Sequence, residues 1–337
     1  MGHYSTKSKL HGRTSNFVDW IAPEKETREV IKKQSDEIRE RLKTKAEEDG
    51  LTVTDTPYSG SFSTKTGLRR HLRGDTTIEG QDIDLPFVVK KDKETEFEPL
   101  IQRFKKYAED AYPTTKVSAT KSSVKMEFES SKLTYDIVPM FATDDPCKQV
   151  LIRENGDIIK TSIQDHRKFI RNRTKKTNDE DGVVAFNDMI RLLKWWRENK
   201  QQTTNEIIVL PSFLVNLLAA KALETCNVDT TFPQTLANWF SYLAFLVKKK
   251  DTVWFNDFYK QPKPDTAKPW NVLDPVIPDN NVVKSWVGWQ IDELADWLQE
   301  ASEVMNRAIV ADLQGRDSDS LEQMQTLFGK IFSSHCD

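Results

Sequence analysis

The sequence predicts an α+β protein, with a mixed sheet flanked by helices in residues 1–160 and a helical lobe over 161–337. Three observations predict it. Two apolar strands, 85–89 and 133–140, each carry a carboxylate, Asp84 at the start of one and Asp136 within the other. A long, densely charged helix over 24–48 precedes both. From Ile163 onward the apolar residues recur at helical instead of strand spacing.

Taken in order, residues 1–15 are polar and read as loose, and an apolar cluster at 16–23 (NFVDWIAP) docks ahead of the first helix. Over 24–48, Val30, Ile31, Ile38, Leu42 and Ala46 form a narrow apolar stripe. Residues 97–111 read as a helix stopped by Pro113. Two β segments follow at 116–120 and 123–129; Val124, Met126 and Phe128 alternate with polar residues as in a half-exposed strand, and a short turn leads to 133–140. In the second lobe, Phe186, Met189, Ile190, Leu193 and Trp196 define a helix over 185–199, and Pro211 sits in the first turn of the next. Residues 236–247 read as a core helix and 252–259 as an aromatic-rich connection. The final helix, 285–307, buries Trp286, Trp289, Leu294, Trp297 and Leu298.

Composition narrows the function. Forty-nine Lys and Arg against 52 Asp and Glu leave a net charge of −3, which argues against a chain built to coat nucleic acid. A long nucleic acid is therefore not expected to be obligatory, because several phosphate contacts would bring a steep salt dependence. The segment where this could fail is the basic run with Arg167, Lys168, Arg171, Arg173, Lys175 and Lys176, read either as a solvated helix or as a nucleic-acid or partner surface. Three dispersed cysteines argue against a disulfide framework, and no Cys/His cluster has zinc spacing. No apolar run approaches the roughly 18 residues of a membrane helix, and no signal-peptide core opens the chain, so a cytoplasmic protein without membrane partners is expected.

The chemistry concentrates in 59–85, SGSFSTKTGLRRHLRGDTTIEGQDIDL. Gly60-Ser61 with the following Ser63, Thr64 and Thr66 offers N–H groups and hydroxyls to a phosphate chain. Asp82 and Asp84, two apart in a strand, present carboxylates on one face, where they repel unless a cation lies between them. Hard oxygen ligands near substrate phosphates suit Mg²⁺. Asp136, costly to bury alone, can share that metal. Neither D-x-D nor Gly-Ser is specific alone; their order, followed by a lone strand Asp, is.

In that order the chain resembles the DNA polymerase β-type nucleotidyltransferase superfamily, and within it the bacterial cGAS/DncV-like nucleotidyltransferases (CD-NTases) of CBASS antiphage defence. These are relatives of oligoadenylate synthetase and cyclic GMP-AMP synthase. The resemblance covers about 25–330 and also rests on Arg191-Leu192-Leu193-Lys194-Trp195-Trp196, on Leu210-Pro211-Ser212-Phe213, and on Leu273-Asp274-Pro275-Val276-Ile277-Pro278-Asp279-Asn280-Asn281.

The resemblance implies a nucleotidyltransferase palm, an oligoadenylate synthetase-like helical lobe, and helix 24–48 as a spine bridging both. It implies Asp82, Asp84 and Asp136 as catalytic ligands of two Mg²⁺ ions, with Mn²⁺ as an alternative. Gly60, Ser61, Thr66, Lys194 and Ser212 would hold the triphosphate, and Phe213 would stack on the base. By residues alone, Lys194 is equally a snorkelling stem and Phe213 a core side chain. The implied activity is template-independent condensation of NTPs, ATP among them, into a cyclic di- or trinucleotide second messenger with release of pyrophosphate. A HORMA-domain regulator and a separate effector that reads the product are the implied partners. A linear oligoadenylate or tRNA-end polymerase would use the same carboxylates. A non-catalytic nucleotide or nucleic-acid sensor is the alternative of another class, and three filled Asp positions argue against it.

Overall fold

The structure, a computed structural model, describes residues 5–69, 71–73, 76–78, 83–91, 100–179, 183–204 and 208–337, with the backbone alone for 71–73 and 76–78. Two compact units emerge: Pro23–Lys168, and the residues up to Ala22 together with Phe169–Asp337. Helix α1 (Lys9–Ile21) belongs to the second. The first contains α2 (Lys25–Glu48), β1 (Val53–Asp55), α3 (Gly60–Thr64), the hairpin β2 (His71–Arg73) and β3 (Thr76–Ile78), β4 (Ile83–Val89), α4 (Ile101–Ala111), β5 (Lys116–Ala119), β6 (Val124–Phe128), β7 (Leu133–Ala142), β8 (Gln149–Ile152) and β9 (Ile158–Thr161). Then come α5 (Ile163–Asp179), α6 (Phe186–Thr203), α7 (Ser212–Cys226), α8 (Phe232–Lys249), α9 (Gly288–Leu313), α10 (Asp317–Phe328) and α11 (Ile331–His335).

Among the described residues the sheet has seven strands in the order β1-β4-β7-β6-β5, with β8 continuing from β7 and β9 from β8. Only β4 and β7 run parallel; the remaining pairs are antiparallel. Two prolines lie inside the central strands at places where the ladder tolerates a missing N–H. Pro86 precedes the Val88–Val89 segment that β1 pairs, and Pro139 sits where β7 passes from β6 to β8. Strand alternation then sorts the side chains. Ile83, Leu85, Phe87, Tyr135 and Ile137 join Ile31, Ile38 and Leu42 of α2 and Phe104 of α4 in the main core of this unit, while Val88 and Met140 form a smaller cluster with Ile163. The stripe on α2 is Ile31, Ile38, Leu42 and Ala46 as expected, but Val30 is exposed, and Ser35 and Arg39 complete the buried face.

In the helical unit, α6 is buried around most of its circumference, from Phe186 to Asn199, as an all-round core helix must be. The chain ends close on it. Trp195 meets Phe17 edge-on at 5.7 Å and donates its indole N–H to the Phe328 carbonyl at 3.0 Å, and Asn199 donates to the Leu327 carbonyl at 3.0 Å. Residues 9–15 are thus not loose but join 16–21 in α1. Ser8 caps α1 by accepting the His11 N–H, and Leu10, Thr14, Phe17, Val18 and Ile21 recur at helical spacing on its buried side. The 1–160 division places this segment with the sheet, whereas it packs on α6, α8, α9 and α11. The last long helix is also not final, since α10 and α11 follow it. Trp286 is buried ahead of α9, while Trp289, the second residue of that helix, is 55% exposed.

His11 ties α1 to this unit with a pH signature. Burial holds its imidazole below the ordinary 6.5, and Nδ1 accepts the Phe232 N–H at 3.3 Å, so the folded state favours the neutral ring. The unfolded chain takes up the extra proton first. The contribution is therefore complete above pH 6.5 and is lost as the pH falls through the depressed folded value. Melting temperatures recorded from about pH 8 to about pH 5 are expected to fall less steeply for His11→Phe than for the native chain; parallel curves would remove His11 from this role.

The motif at 273–281 serves as a staple. Asp274, 3% exposed, accepts the N–H groups of Val276 at 2.8 Å and Ile277 at 3.0 Å and the Asn280 amide at 3.1 Å. Asn281 accepts from the Val272 and Val283 N–H groups and donates to the Trp270 carbonyl. The polar residues of this motif thus satisfy the buried backbone of an otherwise irregular loop.

Candidate active site

Asp84 lies directly abreast of Asp136 in the parallel β4–β7 register, and Asp136 lies directly opposite Lys125 in the antiparallel β6–β7 register. A row of Asp84, Asp136 and Lys125 thus crosses three strands on the face opposite Leu85 and Ile137, the face turned away from the core that α2 and α4 fill. Both carboxylates are half-buried. Paired residues on neighbouring strands stand about 5 Å apart. Two unit charges at that distance repel by roughly 3 kcal/mol at an effective dielectric of about 20. The donor set, acidic oxygens with no soft ligand, fits a hard divalent ion such as Mg²⁺. Asp82, the other expected ligand, lies outside the described residues; among those described, no cluster of three metal-binding side chains occurs.

One oxygen of Asp136 is engaged by the protein: Ser123 donates its hydroxyl to Oδ1 at 2.9 Å. Neither Ser123 nor Lys125 was legible as a site residue, because finding them needs the β6–β7 register. The spacing of two between Ser123, just ahead of β6, and Lys125 within it is the local signal.

Gly60 and Ser61 open α3, which packs on β4, the strand bearing Asp84. Gly60 has φ +65°, a left-handed backbone that favours glycine. Ser63 and Thr64 turn their hydroxyls back to the Gly60 carbonyl, at 3.0 Å and 3.3 Å. Thr66, expected at the triphosphate, is instead fully buried. Its N–H bonds the Ser61 carbonyl at 3.0 Å and its hydroxyl meets that of Thr64 at 2.9 Å, so it braces the turn from behind.

Lys194, Ser212 and Phe213 lie in the helical unit, on α6 and α7. Lys194 is 3% exposed, a depth that follows from its place on an all-round buried helix. Ser212 begins α7, with Pro211 as its cap residue and not in its first turn. Arg197, one helical turn beyond Lys194, was missed by sequence reasoning. It donates to the Ser212 hydroxyl at 3.0 Å and to the Leu210 carbonyl at 2.9 Å, and also pairs with Glu198. With Ser212 Oγ accepting from Arg197, its own proton remains available to an acceptor elsewhere. Phe213 is half-buried, short of the full enclosure of a core phenylalanine. Arg173, expected in the basic surface, is buried. Its guanidinium bonds both oxygens of Asp257, at 2.8 Å and 2.9 Å, and Glu224 at 2.6 Å, under the Phe169 ring. Lys168, Arg171, Lys175 and Lys176 are exposed.

A mixed sheet that sets two acidic side chains abreast on the face opposite its main core, in a chain that continues into a helical unit, defines a DNA polymerase β-like nucleotidyltransferase. Comparison with known proteins agrees. Residues 9–174 match the family described as the Second Messenger Oligonucleotide or Dinucleotide Synthetase domain. The chain is 27% identical over 278 residues to the Cyclic AMP-AMP-AMP synthase of Escherichia coli, covering 81% of this chain and 82% of that one. Its structure matches the Escherichia coli CdnC:HORMA-deltaN complex with a TM-score of 0.78 at 25% identity, over 97% of this chain and 99% of that one. It also matches the Bradyrhizobium diazoefficiens CD-NTase CdnG in complex with GTP, a likeness of fold, with a TM-score of 0.71 at 13% identity over 98% of each chain. The chain is a nucleotidyltransferase whose residues 9–174 match that synthetase family and whose fold is that of the CD-NTases. Among the described residues, no helix is long and apolar enough to cross a membrane.

Proposed function

We propose that the protein condenses nucleoside triphosphates, ATP among them, into a cyclic di- or trinucleotide signal with release of pyrophosphate, in antiphage signalling. The observation that carries this reading is the Asp84–Asp136 pairing across parallel strands. The likeness to a synthase of cyclic AMP-AMP-AMP over most of both chains supports the product class.

Asp82, Asp84 and Asp136 would hold two Mg²⁺ ions, or Mn²⁺ in their place. Bound there, the metal supplies charge stabilisation to the transferring phosphoryl group and acidifies the attacking ribose hydroxyl. The protein's own share is positioning. Gly60 and Ser61 receive phosphate oxygens, with Thr66 bracing their turn. Lys194 contributes a fixed positive charge and Ser212 a hydroxyl proton aligned by Arg197, and Phe213 offers a ring to a base. A solved relative is a complex with a HORMA-domain protein, which supports a regulator of that kind here, acting upstream of a separate effector that reads the product.

The test is to incubate the purified protein with every pair of nucleoside triphosphates and Mg²⁺ or Mn²⁺, with and without a HORMA-domain protein, and to weigh the products. Cyclic species containing adenine are expected. Linear oligonucleotides alone would overturn the cyclic reading in favour of a linear polymerase.

A further inference from the structure

We propose that Ser123, backed by Thr120, is a positioning residue that holds the Asp136 carboxylate in one orientation for its metal, an inference that rests on Asp136 being a metal ligand. The hydroxyl of Ser123 lies 2.9 Å from Asp136 Oδ1, and the residue is 9% exposed, so it is largely shielded from water. A serine hydroxyl has one proton. An ionised carboxylate can only accept, so that proton goes to Oδ1, and in the 2.9 Å contact between Ser123 and Thr120 the donor is then Thr120. Thr120 can alternatively donate to the Ser123 carbonyl at 3.2 Å, which leaves the Ser123 proton on Asp136 either way. Thr120 Oγ1 is itself fixed by the N–H groups of Ser123 at 2.9 Å and Ser122 at 3.2 Å. The relay runs from backbone N–H to Thr120, to Ser123, to Asp136, and it is anchored in the turn between β5 and β6.

The simpler account is a serine that closes a hairpin. That turn, however, is already closed by the Thr120 N–H on the Ser123 carbonyl at 2.8 Å and by the threonine hydroxyl on two N–H groups. The Ser123 hydroxyl, although it accepts from Thr120, is not needed to close the turn and donates across to Asp136 on the neighbouring strand. What it does is occupy one lone pair of Oδ1 and fix the rotation of the carboxylate. Outer partners of this kind typically contribute about 10–100-fold to metal affinity or activity.

The experiment measures Mn²⁺ affinity by the electron paramagnetic resonance of free Mn²⁺, in the presence of a non-hydrolysable ATP analogue, together with metal-free melting and turnover. Ser123→Ala is expected to weaken Mn²⁺ binding roughly tenfold and to lower kcat more than it raises KM for ATP, with metal-free melting unchanged. Ser123→Thr, which keeps the hydroxyl, restores both. Native-like Mn²⁺ affinity in Ser123→Ala overturns the proposal, as does a fall in metal-free melting with no change in affinity, which marks a hairpin role. Asp136→Asn separates the two readings. If it loses Mn²⁺ and Ser123→Ala does not, only the positioning role fails; if Asp136→Asn keeps native affinity, the ligand assignment beneath it fails too.

Discussion

Asp136→Asn is expected to lower turnover by roughly two to three orders of magnitude, the usual cost of removing one preorganised charge from a transition state, while the nucleotide still binds. The substitution preserves size and the hydrogen bond from Ser123, whose hydroxyl can donate equally to an amide oxygen. What it removes is the charge abreast of Asp84. The paired change Asp84→Asn should lose metal as well as turnover, because relief of repulsion between the two side chains is what a cation supplies. Carboxylates without a catalytic role would behave in the opposite way: neutralising either would leave product formation intact and raise the melting temperature. Product formation and the Mg²⁺-dependent shift in melting, measured on the same variants, decide between these outcomes. Near-native conversion of nucleotides by Asp136→Asn would move the active site elsewhere.

Arg173→Ala is expected to destabilise the helical unit by about 3 kcal/mol, since removing the shared partner of a buried ion-pair cluster strips Asp257 of its guanidinium and leaves Glu224 with Lys221 alone. Asp257 and Glu224 retain side-chain exposures of 21% and 32%, which places the effect at the lower end of the range for such pairs. The loss also includes the stacking of the guanidinium on Phe169, with the ring centroid at 3.8 Å. For a unit of this size the melting temperature should fall by roughly 6–12 °C. The neighbouring Lys175→Ala, on the exposed side of the same helix, should leave melting unchanged. An Arg173 variant that melts like the native chain would return this arginine to the basic surface.

The contrast between Arg173 and Lys175 shows where reading the chain runs out. Both belong to one basic run, and helical periodicity alone does not say which cations face inward, because Arg173 is buried by acids from Glu224 and Asp257, far away in the chain. Helix α1 was missed for a related reason. Its Ser8 cap and its apolar spacing are present in the sequence, but Lys9, His11, Gly12 and Arg13 dilute the stripe until Trp195 and Phe328 supply something to bury it against. Val30 and Trp289 erred the other way: an apolar side chain at a plausible position is buried only if another element covers it.

By itself the sequence determined the α+β class, the strands that carry Asp84 and Asp136, the helices from Ile163 onward, and with them the nucleotidyltransferase class. All of these follow from local spacing, which sets the face on which each side chain lies. Tertiary structure alone decided that Asp84 and Asp136 stand abreast, that Lys125 from β6 and Ser123 from the turn before it join them, that Thr66 braces its turn from a buried position, and that the residues before Ala22 pack with the helical unit. The physical reason is that strand register and helix docking are set by the packing of a whole core between segments distant in the chain, and a shift of one residue would turn the side chain of Asp84 or Asp136 to the opposite face.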